Sequence, residues 1–236
     1  MSNKRAVILA GGEGTRLKPY TAILPKPLVP VGDVPILEVI IRQLAVNGFT
    51  HITIAVNHLA EIIKAFFGDG SKWSVRIDYS LEDKPLNTMG PLKLIRDLPE
   101  NFLVMNGDVL TNLNYTKLYN EHITKGSLFT ISSYGRKQKV DFGVLDIGDN
   151  NELTGFREKP IHEYIVSMGV YVLSRKVLDV IPADIPYGFD ELMLELINRK
   201  IPATVKMFDG YWLDIGRPED YVKACADVSR FIPEKL

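Results

Sequence analysis

The chain has 236 residues, 46% apolar and 24% charged, which excludes a disordered or fibrous protein and places roughly 70% of the unfolded surface out of water on folding. Lys and Arg total 28 against 29 Asp and Glu, and the net charge of −1 excludes a global field for nucleic acid or for an anionic membrane. The lone Cys225 excludes an intrachain disulfide and any CxxC metal or redox site, and it fits a reducing compartment, the cytoplasm.

Lys4 and Arg5 precede only five apolar residues before two glycines, too few for a signal peptide or a membrane span. Residues 5–10 read as a buried strand ending in glycines, and a long loop follows. Apolar residues at 36, 37, 40, 41 and 44 have helical spacing, with Gly48 as a stop. The alternation continues with a strand at 52–56, a helix at 59–67, a strand near 75–80, a helix near 91–97 and a strand at 102–105. It predicts an α/β fold, Rossmann-like, with a mixed but mostly parallel sheet flanked by helices and its ligands at the carboxyl ends of the strands.

Asn114-Tyr115-Thr116 matches a glycosylation sequon and, without a secretion signal, reads as chance. After Gly126 strand-like runs at 127–134, 142–147 and 166–173 are separated by turn clusters, then helical patterns return at 189–199 and 219–228. No repeat or long linker appears, so the expected organisation is a single domain, 1–236. Its nucleotide lobe would be about 1–125 and its sugar-phosphate lobe about 126–236.

The densest signal is Leu9-Ala10-Gly11-Gly12-Glu13-Gly14-Thr15-Arg16-Leu17, followed by Pro25-Lys26-Pro27-Leu28. Glycines directly after a buried strand let backbone N–H groups cradle an anion. Arg16 suits phosphate oxygens as a bidentate donor, Lys26 supplies a point charge, and the prolines around Lys26 restrain it. Together they describe a triphosphate site. A Walker A loop is ruled out by the missing Gly-Lys pair, and a dinucleotide fingerprint by Leu17 where its third glycine belongs. His51, His58, His122 and His162 lack zinc spacing and read as surface or packing residues.

Gly11 to Val31 match the pattern GGxGTRLxPxTxxxPKPLxPV throughout, and the chain resembles the sugar-1-phosphate nucleotidyltransferases, the pyrophosphorylases that make nucleoside diphosphate sugars. Its guanylyl branch, acting on mannose or heptose 1-phosphates, is the nearest in pattern. The likeness extends through Met105-Asn106-Gly107-Asp108, Phe156-Arg157-Glu158-Lys159-Pro160 and Trp212-Leu213-Asp214-Ile215-Gly216. Nothing resembling the hexapeptide β-helix of some relatives follows. The resemblance implies a nucleotide-diphospho-sugar transferase, GT-A-like fold and a direct in-line attack of a sugar 1-phosphate on the α-phosphorus of an NTP. Pyrophosphate leaves, and no protein nucleophile is needed.

Carried over residue by residue, the resemblance places Lys26 on the α-phosphate and the sugar phosphate, Arg16 on the leaving pyrophosphate, and Asp108 with Asp214 on Mg²⁺. The nucleotide would meet Leu9, Ala10, Gly11, Gly12, Gly14, Thr15, Asn106 and Gly107, and its base Glu82, Pro85, Thr88 and Gly90. The sugar phosphate would meet Gly143, Glu158, Lys159, Ser167 and Gly169. Ser167 stands where many relatives have Asn, which opens the sugar's identity, and Asn87 replaces a Gly in a loop where Asn tolerates left-handed backbone. Glu82 only accepts hydrogen bonds, which suits the two adjacent donors of guanine and points to GTP, against a bland alternative in which it faces solvent. Arg217 would reach a substrate phosphate or be exposed.

Three rivals stay open: a UTP-, dTTP- or CTP-using enzyme, a glycosyltransferase of related architecture, and a catalytically silent sensor of nucleotide sugars. The partners implied are the NTP and the sugar 1-phosphate, with no nucleic acid and no membrane. Some relatives form homodimers, but no periodic apolar surface stripe in the sequence commits this chain to one.

Overall fold

A computed structural model describes residues 4–12, 14–57 and 59–227. Glu13 of the glycine loop, His58 and the last position of the predicted 219–228 helix lie outside the described residues.

The elements in chain order are β1 (Arg5–Leu9), β2 (Pro30–Val31), β3 (Val34–Pro35), α1 (Ile36–Val46), β4 (His51–Val56), α2 (Ala60–Phe67), β5 (Arg76–Leu81), β6 (Asn101–Asn106), β7 (Val109–Thr111) and α3 (Tyr115–Thr124). There follow β8 (Phe129–Lys139), β9 (Val144–Ile147), β10 (Leu153–Arg157), β11 (Ile161–Ser174), α4 (Phe189–Asn198), β12 (Ala203–Phe208), β13 (Trp212–Asp214) and α5 (Pro218–Asp227). Seven strands form one sheet in the order β12-β8-β11-β6-β1-β4-β5. Strands β6, β1, β4 and β5 are mutually parallel, whereas β11 runs antiparallel to both β6 and β8. This is the mixed, mostly parallel α/β architecture expected, and the sheet runs unbroken across residue 125.

Strand pleating sends successive side chains to opposite faces and so builds two cores. Ile8, Ile52, Ile54 and Met105 face one core, closed by α1, whose Ile36, Leu37, Ile40, Ile41 and Leu44 are fully buried. Each such side chain contributes about 1.5–3 kcal/mol by leaving water. Val7, Val104, Phe129, Tyr171 and Leu173 face the other, closed by Leu192 and Leu196 of α4.

Several elements differ from the sequence expectation. The helix expected at 91–97 is only a short 3-10 turn, Gly90–Leu94, which buries Gly90, Pro91 and Leu92; the chain turns extended at Ile95, and Ile95 and Leu98 are buried beyond it. Helix α3 is a polar segment that buries Tyr115, Leu118, Tyr119 and His122, and the sequon residue Asn114 is its N-cap, accepting from the Lys117 N–H at 2.8 Å. Strands β10, β12 and β13 arise only from their pairings with β9, β8 and β7. Leu145, Ile147, Leu153 and Phe156 share one face of the β9–β10 hairpin and are all more than half exposed, an apolar surface that the sequence pattern had not disclosed.

Candidate active site

The parallel strands end side by side, and their ends shape a cleft of about 560 Å³. The chain is pinned there by backbone bonds between neighbouring strands. The Ala10 N–H donates to Ala55 O (2.8 Å), Gly107 N–H to Leu9 O (2.9 Å) and Glu82 N–H to Val56 O (3.0 Å). Leu9, Ala10, Gly11, Gly12, Gly14 and Thr15 line one wall, and Asn106, Gly107 and Asp108 line the floor at the tip of β6. Gly14 has φ +62°, and a β-carbon there would lie 3.0 Å from both Lys26 Cβ and Thr21 Cγ2. Only glycine relieves both constraints. The Thr21 hydroxyl donates to Gly14 O at 2.7 Å and holds this turn against the Lys26 segment.

Lys26 opens a 3-10 turn between Pro25 and Pro27, and its ammonium pairs with Asp108 Oδ2 inside the cleft. Asp108 Oδ1 is buried with no hydrogen-bond partner among the described residues. The short β7–β13 ribbon places Asp214 opposite Val109, and the Ile215 N–H donates to Asp108 O at 3.0 Å, so two carboxylates far apart in sequence become neighbours. Enclosure and the Asp108 charge push the Asp214 carboxyl above its ordinary range, with Lys26 and Arg16 opposing the rise. Arg16 lies against Gly216, whose β-carbon position is 3.7 Å from the guanidinium. Among the described residues no group of three or more His, Cys, Asp or Glu side chains is assembled for a metal. The unpartnered Asp108 oxygen and its acidic neighbour nevertheless form a hard, anionic donor set of the kind Mg²⁺ takes while keeping several waters.

At the other end of the cleft stand Glu82, Pro85 and Thr88. Glu82 is only 6% exposed, which overturns the solvent-facing alternative. Its Oε2 accepts from the Leu86 N–H (3.1 Å), and its Oε1 lies 2.7 Å from where a Gly11 β-carbon would be. Burial pushes its carboxyl upward and the Leu86 N–H opposes that. Asn87 adopts φ +59°, the left-handed backbone expected of it. The Thr88 hydroxyl accepts from the Phe189 N–H (2.8 Å). Gly90 is a correction: it does not line the cleft but packs beneath the loop, donating to Tyr187 O at 2.9 Å, where a β-carbon would strike Leu86 Cβ at 2.9 Å. Asn57, Leu86, Pro91 and Gly216 also line the cleft. Of these, Asn57 was within reach of sequence reasoning, because it directly follows a strand whose carboxyl end was expected to face ligand.

The residues expected to meet the sugar, Gly143, Glu158, Lys159, Ser167 and Gly169, lie outside the cleft's own lining, on the arm built from β8 to β11. A bulge in β11 between Ser167 and Tyr171 turns Gly169, at φ +73°, against the Asn106 amide, which joins the arm to the cleft floor. Ser167 Oγ and the Tyr171 hydroxyl are 3.0 Å apart. Burial, aided by Asp108 and Asp214, pushes that phenol up to about 12. The Trp212 indole donates to Met168 O (3.0 Å), fastening the Asp214 strand to the same bulge. Gly143 and Glu158 meet across the hairpin, the Gly143 β-carbon position being 3.3 Å from Glu158 Oε2, and Lys159 pairs loosely with Glu158 at 3.6 Å. Arg217 is exposed, 3.8 Å from Glu219. His51 pairs with Asp78 (2.6 Å), His122 is buried, and His162 stacks on Tyr164.

The chain is 34% identical to a UTP–glucose-1-phosphate uridylyltransferase of Synechocystis sp. over 95% of its own length, but spans only 63% of that protein. It is 31% identical to a D-glycero-alpha-D-manno-heptose 1-phosphate guanylyltransferase of Campylobacter jejuni, covering 92% of this chain and 96% of that one. The structure of HddC from Yersinia pseudotuberculosis complexed with GMP-PN superposes with a TM-score of 0.72 at 29% identity, over 95% of this chain and 99% of the other. The family described as nucleotidyl transferase matches residues 5–230. The chain belongs to that family, among the sugar-1-phosphate nucleotidyltransferases.

Proposed function

We propose that the protein transfers a nucleotidyl group from an NTP, GTP by preference, to a sugar 1-phosphate, releasing pyrophosphate. The observation that carries this reading is the convergence of Arg16, Lys26 and Asp108 on one cleft beneath a glycine turn at the strand ends. A phosphate oxygen of the sugar 1-phosphate forms a bond to the α-phosphorus while the bond to the β-phosphate bridging oxygen breaks, so the substrate supplies its own nucleophile. Lys26 neutralises charge on the α-phosphate, Arg16 steadies the departing pyrophosphate, and the turn's N–H groups orient the chain of phosphates. Asp108 and Asp214 would hold Mg²⁺, which when bound offsets phosphate charge. The arm residues Gly143, Glu158, Lys159, Ser167 and Gly169 would bind the sugar phosphate.

The buried acceptor Glu82 and the guanylyl relatives support GTP with a mannose- or heptose-type sugar, while the similarity to a uridylyltransferase supports UTP as the second reading. No helix among the described residues is long and apolar enough to cross a membrane, and the single cysteine suits the cytoplasm. The test is pyrophosphate release with Mg²⁺ over a matrix of GTP, UTP, dTTP, CTP and ATP against hexose and heptose 1-phosphates. Release that requires both substrates supports the reaction and names the pair. Silence from folded protein across the matrix would favour the sensor.

A further inference from the structure

We infer that Asn57 determines base specificity by donating its side-chain N–H to O6 of guanine, completing an edge of which Glu82 reads the other two groups. The inference rests on the guanylyl reading above and goes further, naming a second base-reading residue and the atom it contacts.

Three observations place Asn57 there. Strands β4 and β5 are parallel with Val56 opposite Leu81, so the residues that follow, Asn57 and Glu82, emerge together on one face at the cleft. They flank the same glycine: a Gly11 β-carbon would lie 2.7 Å from Glu82 Oε1 and 3.4 Å from Asn57 Cβ. Any side chain at Gly11 would stand between them, so its absence leaves room for a flat ring. The usual structural work of an Asn before a helix is also missing. The N-cap of α2 is Leu59, no side chain caps that helix, and the Asn57 amide makes no hydrogen bond among the described residues. A half-buried amide with no protein partner, facing a cleft, is a free donor and acceptor.

The chemistry then selects among bases. Guanine presents in order a 2-amino donor, the N1–H donor and the O6 acceptor. Glu82 accepts from the first two, since each carboxylate oxygen has two lone pairs and only one is taken by the Leu86 N–H. Asn57 Nδ2 donates to the third. Adenine would set its N1 lone pair against the Glu82 carboxylate, and uracil would set O2 there. Only guanine matches acceptor, acceptor and donor in that order.

The experiment is calorimetric titration of the whole chain, without sugar phosphate, with GTP, ITP, 6-thio-GTP and UTP, comparing wild type with Asn57→Ala and Asn57→Asp. ITP lacks the 2-amino group read by Glu82, and 6-thio-GTP replaces O6 by a weak acceptor. Wild type should prefer GTP over 6-thio-GTP. Both variants should melt as wild type does, lose roughly tenfold or more in GTP affinity, lose as much for ITP, and bind GTP and 6-thio-GTP alike. Asn57→Asp keeps the side chain's size while replacing the donor by an acceptor, so a loss of GTP affinity at least as large as that of Asn57→Ala excludes collapse of the cleft as the cause. GTP affinity within twofold of wild type, or an equal loss for GTP and 6-thio-GTP, overturns the assignment. Tighter binding of UTP than GTP by wild type overturns it too while leaving nucleotidyl transfer standing, and failure to bind any NTP overturns both.

Discussion

Lys26→Ala removes the ammonium that faces both Asp108 and the proposed α-phosphate. Two magnitudes follow, one for rate and one for stability. Loss of one preorganised contact to the charge of the transition state costs on the order of 10²–10³ in kcat, about 2.7–4 kcal/mol. The fold loses less. Breaking a fully buried ion pair costs about 3–5 kcal/mol, but the Lys26 and Asp108 side chains keep 12% and 20% exposure in an open cleft, so about 1–3 kcal/mol is expected. The loss arises because Asp108 Oδ1 already lacks a partner and Asp214 stands beside it, pushed further upward once Lys26 no longer opposes the rise. Adding Asp108→Asn to Lys26→Ala removes the uncompensated charge, so the double variant should regain melting temperature but not turnover. Pyrophosphate release at saturating substrates and thermal melts measure the two effects separately. Turnover of Lys26→Ala within threefold of wild type would refute its role on the phosphate. A double variant that melts no higher than Lys26→Ala would refute the ion-pair account.

Asp108→Asn alone should raise the Mg²⁺ requirement or abolish activity, and an unchanged Mg²⁺ titration would remove this residue from the metal site. Glu82→Gln should erode preference for GTP over UTP or dTTP. Because burial raises the Glu82 carboxyl, wild-type GTP affinity should fall on acidification at a pH above 4.5, and the variant should lack that step in a binding-versus-pH series. Gly14→Ala forces an L-residue to φ +62° and crowds Lys26, so about 1–2 kcal/mol of stability should be lost together with at least tenfold in rate; full activity would disprove the tight turn. His122 is buried on Thr130 and Asn101 and held down to about 4, against 6.5 when unfolded. Its neutral form therefore contributes stability that is complete above pH 6.5 and lost as pH falls toward 4, about 3 kcal/mol in all. Urea midpoints at pH 7 and pH 4.5 should show that loss, and His122→Asn should flatten it.

Local pattern carried the first half of the fold and the triphosphate loop. A buried parallel strand is a short apolar run whatever surrounds it, and Gly14, Arg16, Pro25 and Lys26 act within twenty residues of one another, so their spacing alone limits what they can hold. Polar segments were harder to read. Helix α3 packs through Tyr115, Tyr119 and His122, which hydropathy undercounts, and β12 is a strand because β8 pairs with it rather than through its own composition. The site's electrostatics were set at still longer range. Asp108 and Asp214 are neighbours because β7 pairs with β13, and Glu82 is a buried acceptor because Gly11 leaves it room. Asn57 meets the cleft because β4 and β5 end in register. Residue type and spacing thus determined the chemistry available to this protein, whereas burial, charge proximity and the order of donors along the cleft were decided by strand pairing, which brings together groups that chain connectivity leaves independent.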